Sequence, residues 1–432
     1  MKISPAKFVS GNVALPGDKS ITHRAAMIAS IAVGETRIEN FATSADCAST
    51  LKCLEALGVK IRRKGKTVLI IGVGKSGFMA PSETLDCGNS GTTMRLLAGV
   101  LAGQEFQSTL TGDESLQKRP MKRIIEPLSK MGAVIASQNF NAPLTISGRS
   151  PLRSVEYRPQ VASAQIKSCL LLAGLNSDGV TTVIENVQTR DHTERMLKWF
   201  GVDVTLHKGE FDTRISVSGD AVLIAQDVSV PSDISAAAFF MVAASCLNGS
   251  DITMKNVGLN PSRRAIFDVM QNLGANVAIL EASEKCNEPI ATIRIRGGIK
   301  YPKPSTSVVL SGSIIANLMD EVPILAILGT QLHGGMEIRD AAELRVKESD
   351  RIAAIVENLE RMGADVTEFP DGFKVERSNL NGAVIDSFGD HRIAMAFAVA
   401  GLLADGDTEI RGSKCADISF PGFFQTLSSV VR

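Results

Sequence analysis

The sequence lacks a charge excess of either sign, because its 432 residues include 46 basic and 46 acidic side chains. Proteins that bind nucleic acids normally carry a basic excess, so this balance argues against a nucleic-acid partner. The sequence also lacks an apolar run long enough to span a bilayer, and its first residues lack the apolar stretch of a signal peptide. These absences predict a cytoplasmic location and no membrane partner.

Patterns typical of disulfide frameworks and metal sites are missing too. The seven cysteines show neither C-x-x-C spacing nor a paired framework, so we expect most of them to be reduced, small core residues. The five histidines do not have the spacing of zinc ligands. The sequence therefore predicts no metal site.

The main feature that the sequence does contain is a repeated pattern with a period of about 70 residues. In each of six copies, a polar cluster opens an apolar helix-like stretch, and a β-rich segment follows. The glycines expected to end this first helix in the left-handed conformation are Gly34, Gly103, Gly179, Gly249, Gly335 and Gly406. A second, amphipathic helix ends in an apolar residue and a glycine, at Gly58, Gly132, Gly201, Gly274 and Gly363, with a degraded sixth copy at 427–430.

Each copy of the repeat predicts the order β-α-β-α-β-β. The first helix is apolar nearly all round and must be buried, whereas the second is charged on one face and should cover the outside. Since 432 residues exceed one usual core, the six copies predict an α/β fold of two domains with three copies each. One crossover between the domains fits residues 230–232, and a second fits residues 15–17 if the N-terminal strand joins the C-terminal half.

Polar residues at the starts of the buried helices are the first functional signal, because an apolar helix does not need them. Helix N-termini expose unpaired N–H groups and a partial positive charge. If three parallel buried helices in each domain point their N-termini at a cleft between the domains, that cleft can bind a multiply charged anion. Lys19, Arg24 and Arg392 oppose the helix dipole at such starts, which a bound anion explains. Asp233 is predicted to be a plain N-cap.

Further charged residues extend this pattern. The additional cations near helix starts or in a turn-rich loop are Lys118, Arg119, Lys167, Arg190, Lys347 and Arg351. Arginine suits the forked recognition of phosphate or carboxylate. The carboxylates Asp320, Glu321 and Glu348 stand among these cations and could transfer protons in a partly dehydrated cleft. An N-cap role for Asp320 and an ion pair for Glu348 are the structural alternatives.

Six motifs, in order along the chain, resemble the 5-enolpyruvylshikimate-3-phosphate (EPSP) synthase family over essentially all 432 residues. They are Pro16-Gly17-Asp18-Lys19-Ser20 with Arg24, Gly88-Asn89-Ser90-Gly91-Thr92, Lys118-Arg119-Pro120, Ser163-Ala164-Gln165, Lys347-Glu348-Ser349-Asp350-Arg351 and Gly389-Asp390-His391-Arg392. The resemblance implies a two-domain inside-out barrel, with two crossovers and three β-α-β-α-β-β units per domain. The implied domains are residues 1–17 plus 232–432, and residues 18–231.

The resemblance also implies a reaction. Members of the family transfer the enolpyruvyl group of phosphoenolpyruvate to the 5-hydroxyl of shikimate 3-phosphate, and they release phosphate by addition and elimination. Both substrates carry a phosphate and a carboxylate, which agrees with the cationic cleft. We therefore expect an enzyme of aromatic amino-acid biosynthesis that uses these two substrates, needs no cofactor and is a monomer.

Site residues follow from the resemblance, motif by motif. Those implied for shikimate 3-phosphate are Lys19, Ser20, Arg24, Ser163, Ala164, Gln165, Arg190, Asp320 and Lys347. Those implied for phosphoenolpyruvate are Lys19, Gly91, Arg119, Gln165, Arg351 and Arg392. The implied catalytic groups are Asp320 for the hydroxyl proton, Glu348 for the methylene proton, and Lys19, which with Lys347 stabilises developing charge.

The chain departs from the family pattern near its C-terminal segment. Some members carry a lysine where this chain has Ile418, and Lys414 is not included in the predicted site. The combination of Ser163-Ala164-Gln165 with Arg190, His192 and Glu194 resembles a subgroup often associated with glyphosate tolerance. Gly91 matches sensitive members instead, so the sequence leaves glyphosate sensitivity open.

Three alternative functions remain beside this interpretation. The related UDP-N-acetylglucosamine enolpyruvyl transferase uses a loop cysteine, and residues 104–120 contain none. A non-catalytic anion-binding relic of the same fold is disfavoured by the retained Lys19, Asp320, Glu348 and Arg392. A nucleotide-dependent kinase needs a phosphate loop, but residues 72–76 have only half of that motif and predict a turn.

Overall fold

A computed structural model describes residues 1–299 and 307–432 of the chain. The chain is arranged in two units. The N-terminal unit comprises Gly17–Pro231 and Glu284–Glu288, and the C-terminal unit comprises Met1–Pro16, Ser232–Ser283 and Pro289–Arg432. Each unit has its own cluster of buried apolar side chains.

Short strands alternate with helices along the described chain. The strands are β1 (Lys2–Ile3), β2 (Ser10–Val13), β3 (Val33–Glu39), β4 (Lys60–Lys64), β5 (Thr67–Val73), β6 (Leu85–Asp86), β7 (Gln107–Thr111), β8 (Val134–Gln138), β9 (Asn141–Ser147), β10 (Glu156–Tyr157), β11 (Val180–Glu185), β12 (Thr205–Lys208), β13 (Thr213–Ser218), β14 (Val228–Ser229), β15 (Asp251–Gly258), β16 (Asn276–Lys285), β17 (Glu288–Arg296), β18 (Val308–Leu310), β19 (Met336–Ile338), β20 (Val366–Phe369), β21 (Gly372–Val375), β22 (Val384–Asp386) and β23 (Thr408–Arg411). The α-helices are α1 (Lys19–Ile31), α2 (Ala45–Ala56), α3 (Gly91–Ala102), α4 (Glu114–Gln117), α5 (Lys122–Lys130), α6 (Ala164–Gly174), α7 (His192–Trp199), α8 (Ile234–Cys246), α9 (Ala265–Asn272), α10 (Ser313–Leu318), α11 (Val322–Thr330), α12 (Arg351–Arg361), α13 (His391–Leu403) and α14 (Phe423–Val430). Two short 3₁₀ helices span Ala342–Val346 and Ser413–Ile418.

The described strands form six small sheets that share one pairing pattern. In one of them, β6 pairs in parallel with β7, and β7 pairs antiparallel with β9 of the β8–β9 hairpin. The sheets β10-β11-β13-β12 and β18-β19-β21-β20 repeat this arrangement. Because the helices fall between these strands in the expected order, the predicted β-α-β-α-β-β repeat is confirmed.

Three copies of the repeat take a strand from a distant part of the chain. The first copy uses β14, which pairs in parallel with β3. The fourth copy uses β2, which pairs in parallel with β15. In the sixth copy α14 is not followed by a hairpin, and β1 pairs antiparallel with β23 where a hairpin strand would otherwise lie. The degraded end of the sixth repeat is therefore completed by the N-terminal strand.

The first helix of each copy is buried, as its apolar surface predicts. These central helices are α1, α3 and α6 in the N-terminal unit and α8, α11 and α13 in the C-terminal unit. In α13 every residue from His391 to Leu402 is buried. The amphipathic α12 instead exposes Glu357, Glu360 and Arg361 on one face. The charge pattern of each helix thus matches its position in the unit.

The predicted glycine helix ends are confirmed for only one of the two helix types. After the amphipathic helices, Gly58, Gly132, Gly201, Gly274 and Gly363 all have positive φ, between +77° and +102°. For the central helices the prediction holds only in part: Gly34, Gly249, Gly335 and Gly406 have positive φ. However, α1, α8 and α13 end at the extended residues Ala32, Leu247 and Ala404, before the glycine is reached. At α1 the extended Ala32 leads the chain directly into β3, so this helix does not end on a left-handed residue.

The predicted turn is confined to residues 74–76, because Gly72 and Val73 still belong to β5, and this turn stabilises helix ends. Lys75 Nζ donates hydrogen bonds to the carbonyl oxygens of Leu175, at 2.8 Å, and Gly219, at 2.6 Å. Leu175 is the C-cap of α6, where a cation interacts favourably with the helix dipole. At Gly72 a side chain would clash with the Ala32 carbonyl oxygen, which lies 2.2 Å from the Cβ position. The lysine and glycine of this motif therefore serve the packing of α1 and α6.

All seven cysteines lie in the described residues, and each is a free thiol. Cys47, Cys53, Cys87 and Cys169 are buried, which confirms that most of the cysteines are reduced core residues. Across residues 1–299 and 307–432, no helix has both the length and the apolar character that crossing a membrane requires.

Candidate functional site

Side-chain caps define the starts of the three central helices in the N-terminal unit. Asp18, Ser90 and Ser163 accept hydrogen bonds from backbone N–H groups in the first turns of α1, α3 and α6 respectively. The residues that the sequence predicts as functional follow these caps directly. They are Lys19 and Ser20 on α1, Gly91 on α3, and Ala164 and Gln165 on α6. All of them are therefore placed by a capped helix start.

Lys19 is held beside a carboxylate at the start of the neighbouring helix. Its Nζ lies 3.1 Å from Asp46 Oδ2, and Asp46 is in the first turn of α2. The Lys19 side chain is 16% exposed and that of Asp46 is 8% exposed. This partial burial keeps the Lys19 ammonium group fixed while one side remains accessible. Ser20, the next residue, is also partly exposed.

Arg24 lies one turn further along α1 and is buried among neutral oxygens. It donates hydrogen bonds to Thr193 Oγ1 at 2.7 Å, Ser168 Oγ at 2.8 Å and the Ser20 carbonyl oxygen at 2.9 Å. Burial lowers the pKa of Arg24 to about 10; Glu194 opposes this lowering, and the Arg190 cation adds to it. The guanidinium group thus joins α1, α6 and α7 and stays charged at neutral pH.

Gly91, Arg119 and Gln165 come together through a residue that the sequence analysis missed. Arg95, on α3, donates from Nη1 to Gln165 Oε1 at 2.8 Å and from Nη2 to the Pro120 carbonyl oxygen at 3.3 Å. A Cβ atom at Gly91 would lie 2.6 Å from Arg95 Nη1 and 3.5 Å from Arg119 Nη1. Only glycine therefore fits at position 91 without moving Arg95. The signal for Arg95 was a lone cation on an otherwise apolar helix.

Arg119 is 7% exposed and is held by polar groups just before α3 and in α4. Its Nη2 donates to Asn89 Oδ1 at 2.8 Å and to Ser115 Oγ at 3.2 Å. Asn89 precedes the Ser90 cap of α3, so Arg119 is fixed close to the start of that helix. The structure thus brings Arg119 and Gly91 together, as the sequence predicts.

Lys167 does not belong with the anion-binding cations, so its inclusion there was wrong. It is 1% exposed, and its Nζ lies 2.7 Å from Glu194 and 2.9 Å from Glu185. Burial alone would lower the pKa of Lys167, but the two carboxylates outweigh burial and raise it. One lysine between two carboxylates leaves a net negative charge at this position, which argues against a role for Lys167 in binding a further anion.

The central helices of the C-terminal unit start differently from one another. Asp233 caps α8 by accepting the Ser235 N–H at 2.8 Å, as predicted, and Asp390 caps α13 by accepting the Arg392 N–H at 2.8 Å. The N-cap of α11 is Glu321 rather than Asp320, and it makes no side-chain capping bond. The capping alternative for Asp320 is therefore wrong.

Arginines surround Asp320 and Glu348 in the C-terminal unit. Arg351 Nε donates to Asp390 Oδ2 at 2.7 Å, and Arg351 Nη2 donates to Glu348 Oε2 at 2.6 Å. The Oδ1 atom of Asp320 lies 3.4 Å from Arg392 Nε and 3.7 Å from Arg351 Nη1. Burial opposes the charge of Arg351, but the adjoining carboxylates outweigh it and raise the Arg351 pKa. The ion pair predicted as an alternative for Glu348 is present.

Lys347 adjoins this cluster and differs from its arginines. Burial lowers the pKa of Lys347, and the Arg351 cation adds to the lowering, although Asp320 and Glu348 oppose it. An ammonium group with a lowered pKa releases its proton more readily than an exposed lysine does. Asp320, whose side chain is 20% exposed, is the carboxylate of the cluster with the clearest access to a ligand.

Known proteins with similar sequences identify the family. The family model for EPSP synthase (3-phosphoshikimate 1-carboxyvinyltransferase) matches residues 3–427. The chain is 50% identical over 435 residues to the 3-phosphoshikimate 1-carboxyvinyltransferase of Pelotomaculum thermopropionicum, and 47% identical over 438 residues to that of Solibacter usitatus. Both alignments cover 100% of this chain and 99% of the relative. The chain belongs to the EPSP synthase family.

Solved structures show the EPSP synthase fold in this chain. The EPSP synthase from Acinetobacter baumannii is 40% identical and matches with a TM-score of 0.86, covering 100% of this chain and 98% of that one. The enolpyruvyl transferase NikO from Streptomyces tendae is 16% identical with a TM-score of 0.78, so that likeness shows the fold alone. Family membership confirms the predicted fold class, the enzyme class and enolpyruvyl transfer from phosphoenolpyruvate to shikimate 3-phosphate.

Proposed function

We propose which residues of this EPSP synthase family member carry out the transfer. Shikimate 3-phosphate is bound by Lys19, Ser20, Arg24, Ser163, Ala164, Gln165, Arg190, Asp320 and Lys347. Phosphoenolpyruvate is bound by Lys19, Gly91, Arg119, Gln165, Arg351 and Arg392. The observation that carries the proposal is the position of Asp320, a partly exposed carboxylate beside Arg351 and Arg392. Such a carboxylate stays ionised and can accept a proton next to two cations that bind an anionic substrate.

The helix starts of the N-terminal unit support the binding of shikimate 3-phosphate. Ser163, Ala164 and Gln165 stand at the first turn of α6, where N–H groups and the helix dipole favour a phosphate. Arg190 lies close enough to Arg24 to lower its pKa, so the two cations share one region. Two cations in one region attract the two anionic groups of this substrate.

The proposed chemistry moves one proton to carbon and one from oxygen. Asp320 accepts the proton of the 5-hydroxyl while that oxygen bonds to C2 of phosphoenolpyruvate, and Glu348 donates a proton to the methylene carbon. Lys19 and Lys347 stabilise the charge that develops on the adduct. In the elimination step Glu348 takes a proton back from the new methyl group, the C–O bond to phosphate breaks, and Asp320 returns its proton to the departing phosphate, which restores the double bond and both carboxyl groups. Glu348 is suited to this exchange because Arg351 fixes its orientation at 2.6 Å.

Several further properties complete the proposal. The enzyme functions as a cytoplasmic monomer without a cofactor, and its domains are residues 1–17 plus 232–432 and residues 18–231. Family membership and balanced charge support this description. Among the described residues, no group of three or more His, Cys, Asp or Glu side chains is placed to hold a metal ion.

Phosphate release from phosphoenolpyruvate tests the proposed activity. We expect release with shikimate 3-phosphate, and none with buffer alone or with UDP-N-acetylglucosamine. Release without shikimate 3-phosphate, or none in its presence, would contradict the assignment. UDP-N-acetylglucosamine as the better acceptor would support the sister enzyme instead.

The variant Glu348→Gln tests the proposed proton donor. It should lower kcat by about 100-fold or more and stop deuterium exchange into the methylene group, because the amide cannot donate the same proton. Glu360→Gln is the matched control, since Glu360 is an exposed glutamate on α12, the helix that begins three residues after Glu348. Unchanged turnover in Glu348→Gln would remove Glu348 from this role.

A further inference from the structure

A buried arginine outside the proposed site residues lies against Asp320. Arg263 is 3% exposed, and its Nη2 atom lies 3.5 Å from Asp320 Oδ2. It stands in the loop between β15 and α9, where the Asn260 carbonyl oxygen accepts the Arg263 N–H at 2.8 Å. Asn260 Oδ1 also accepts the Ser262 N–H at 2.9 Å. These bonds give the loop a fixed shape that directs Arg263 towards the start of α11.

Further contacts of Arg263 are with the buried residues Glu321 and Ser235. Its Nη1 donates to both carboxylate oxygens of Glu321, at 3.1 Å and 3.2 Å. Its Nη2 donates to Ser235 Oγ, and that hydroxyl donates to Glu321 Oε1. Ser235 is in the first turn of α8, so this network joins α8, the loop before α9 and the start of α11.

Charge balance explains only part of this arrangement. Glu321 is 1% exposed, and a buried carboxylate of this kind needs a cation. Arginine remains charged when buried and has a rigid, forked set of donors. One arm of that fork compensates Glu321, while the other arm, which donates to Ser235 Oγ, also lies 3.5 Å from a carboxylate oxygen of Asp320, the preceding residue. The buried ion pair between Arg263 and Glu321 does not require this approach to Asp320.

We infer that Arg263 is a positioning residue for Asp320, holding its carboxylate in the orientation and the ionised form that accept the hydroxyl proton. The inference rests on the proposed role of Asp320. Arg263 would act on the reaction through Asp320, without touching either substrate.

Other charged groups also face Asp320 and share in its ionisation. They are Arg351 on α12, Arg392 on α13, Lys347 before α12, Glu348 beside Arg351, and Glu321 next in the chain. Arg263 is therefore one of three arginines around Asp320. Removing it should weaken the preference for the carboxylate form without abolishing it.

Four variants test this inference. Arg263→Met removes the cation and the fork, and Arg263→Lys keeps the charge but loses the fork. Arg263→Met combined with Glu321→Gln removes both charges of the buried pair, which should leave folding nearly unchanged. Arg264→Met is the matched control, because Arg264 is the next residue and pairs with Asp268 at 3.3 Å near the surface.

The measurements are kcat, both KM values and the pH dependence of kcat. In the double variant we expect kcat to fall by about 100-fold with smaller changes in KM, because a misplaced base affects the reaction more than binding. In Arg263→Met the acidic limb of the pH profile should move up by about one unit, because Asp320 loses a neighbouring cation. In Arg263→Lys the acidic limb of the pH profile should stay in place, and kcat should fall less than in the double variant. Arg264→Met should match the wild type.

A purely structural role for Arg263 would change thermal stability but not the pH limb. The inference is overturned if Arg263→Lys and the double variant both retain the kcat and pH profile of Arg264→Met. If Arg263→Met does not fold, Arg263→Lys and the double variant still decide the question. Failure of the proposed function itself is distinguishable, because the wild-type enzyme would then show no turnover that depends on shikimate 3-phosphate.

Discussion

The two units hold their functional arginines in different ways. In the N-terminal unit, Arg24 donates to two hydroxyl groups and a carbonyl oxygen, and Arg119 donates to an amide and a hydroxyl oxygen. In the C-terminal unit, Arg351 donates to the carboxylates of Asp390 and Glu348. Neutral acceptors leave more of an arginine's charge for an anionic ligand, whereas carboxylates beside an arginine compensate part of its charge and are fixed in orientation by it. Under the proposed function, this comparison predicts that the first unit contributes more to substrate binding and the second unit more to proton transfer.

Removing one arginine from each unit tests this difference directly, and it should have the largest effect on stability of the changes considered. Arg351→Met leaves Asp390 buried without its cation, so we expect a loss of about 3–5 kcal/mol in the free energy of unfolding. Arg24→Met leaves neutral oxygens behind, and the expected loss is about 1–3 kcal/mol. Urea unfolding of both variants measures the difference. Equal losses, or a larger loss in Arg24→Met, would show that the units do not differ in this way.

Adding a methyl group at Gly91 tests the proposed role of the first unit in binding, and its effect should be smaller. In Gly91→Ala the new Cβ atom would lie 2.6 Å from Arg95 Nη1, so the arginine must move. We expect the KM for phosphoenolpyruvate to rise by about tenfold or more, with little change in stability. Gly209→Ala, on the surface of the same unit, is the control. Unchanged steady-state kinetics in Gly91→Ala would argue against a substrate at this position.

The smallest expected effect lies at the opposite end of a central helix. Lys75→Met removes hydrogen bonds to two carbonyl oxygens near the C-terminus of α6 and should cost about 1–2 kcal/mol of stability. The kcat should match that of the control Lys208→Met, because Lys208 is exposed on β12 and the proposed site lies at helix N-termini. A large fall in kcat at unchanged stability in Lys75→Met would show that the C-terminal end of α6 also contributes to the reaction.

The sequence predicted the parts of the fold that depend on local pattern. The buried central helices, the amphipathic helices with their left-handed glycines and the order of the repeat all follow from periodicity and glycine spacing. The ends of the central helices were predicted only in part: four of the six glycines have positive φ, but whether a helix ends at its glycine or at an earlier extended residue depends on where the next strand starts. Ala32 shows this, since it takes the chain straight from α1 into β3.

Long-range partners limited what could be predicted about the site. Lys167 looked like an anion-binding cation, but Glu185 and Glu194 lie 18 and 27 residues away in the sequence and meet it only in the fold. Arg263 was missed because its partner Glu321 is 58 residues away. The residues at helix starts were easier to find, since the helix itself determines their position. Their individual roles remain predictions.

The most direct test of the division between the units is the affinity for shikimate 3-phosphate, measured by calorimetry on two variants. Arg190→Met, in the N-terminal unit, should weaken binding by about tenfold or more, because a charge-assisted contact with the substrate is lost. Glu348→Gln, in the C-terminal unit, should bind within about threefold of the wild type while its turnover is lost. The reverse pattern, with binding intact in Arg190→Met and lost in Glu348→Gln, would contradict the account.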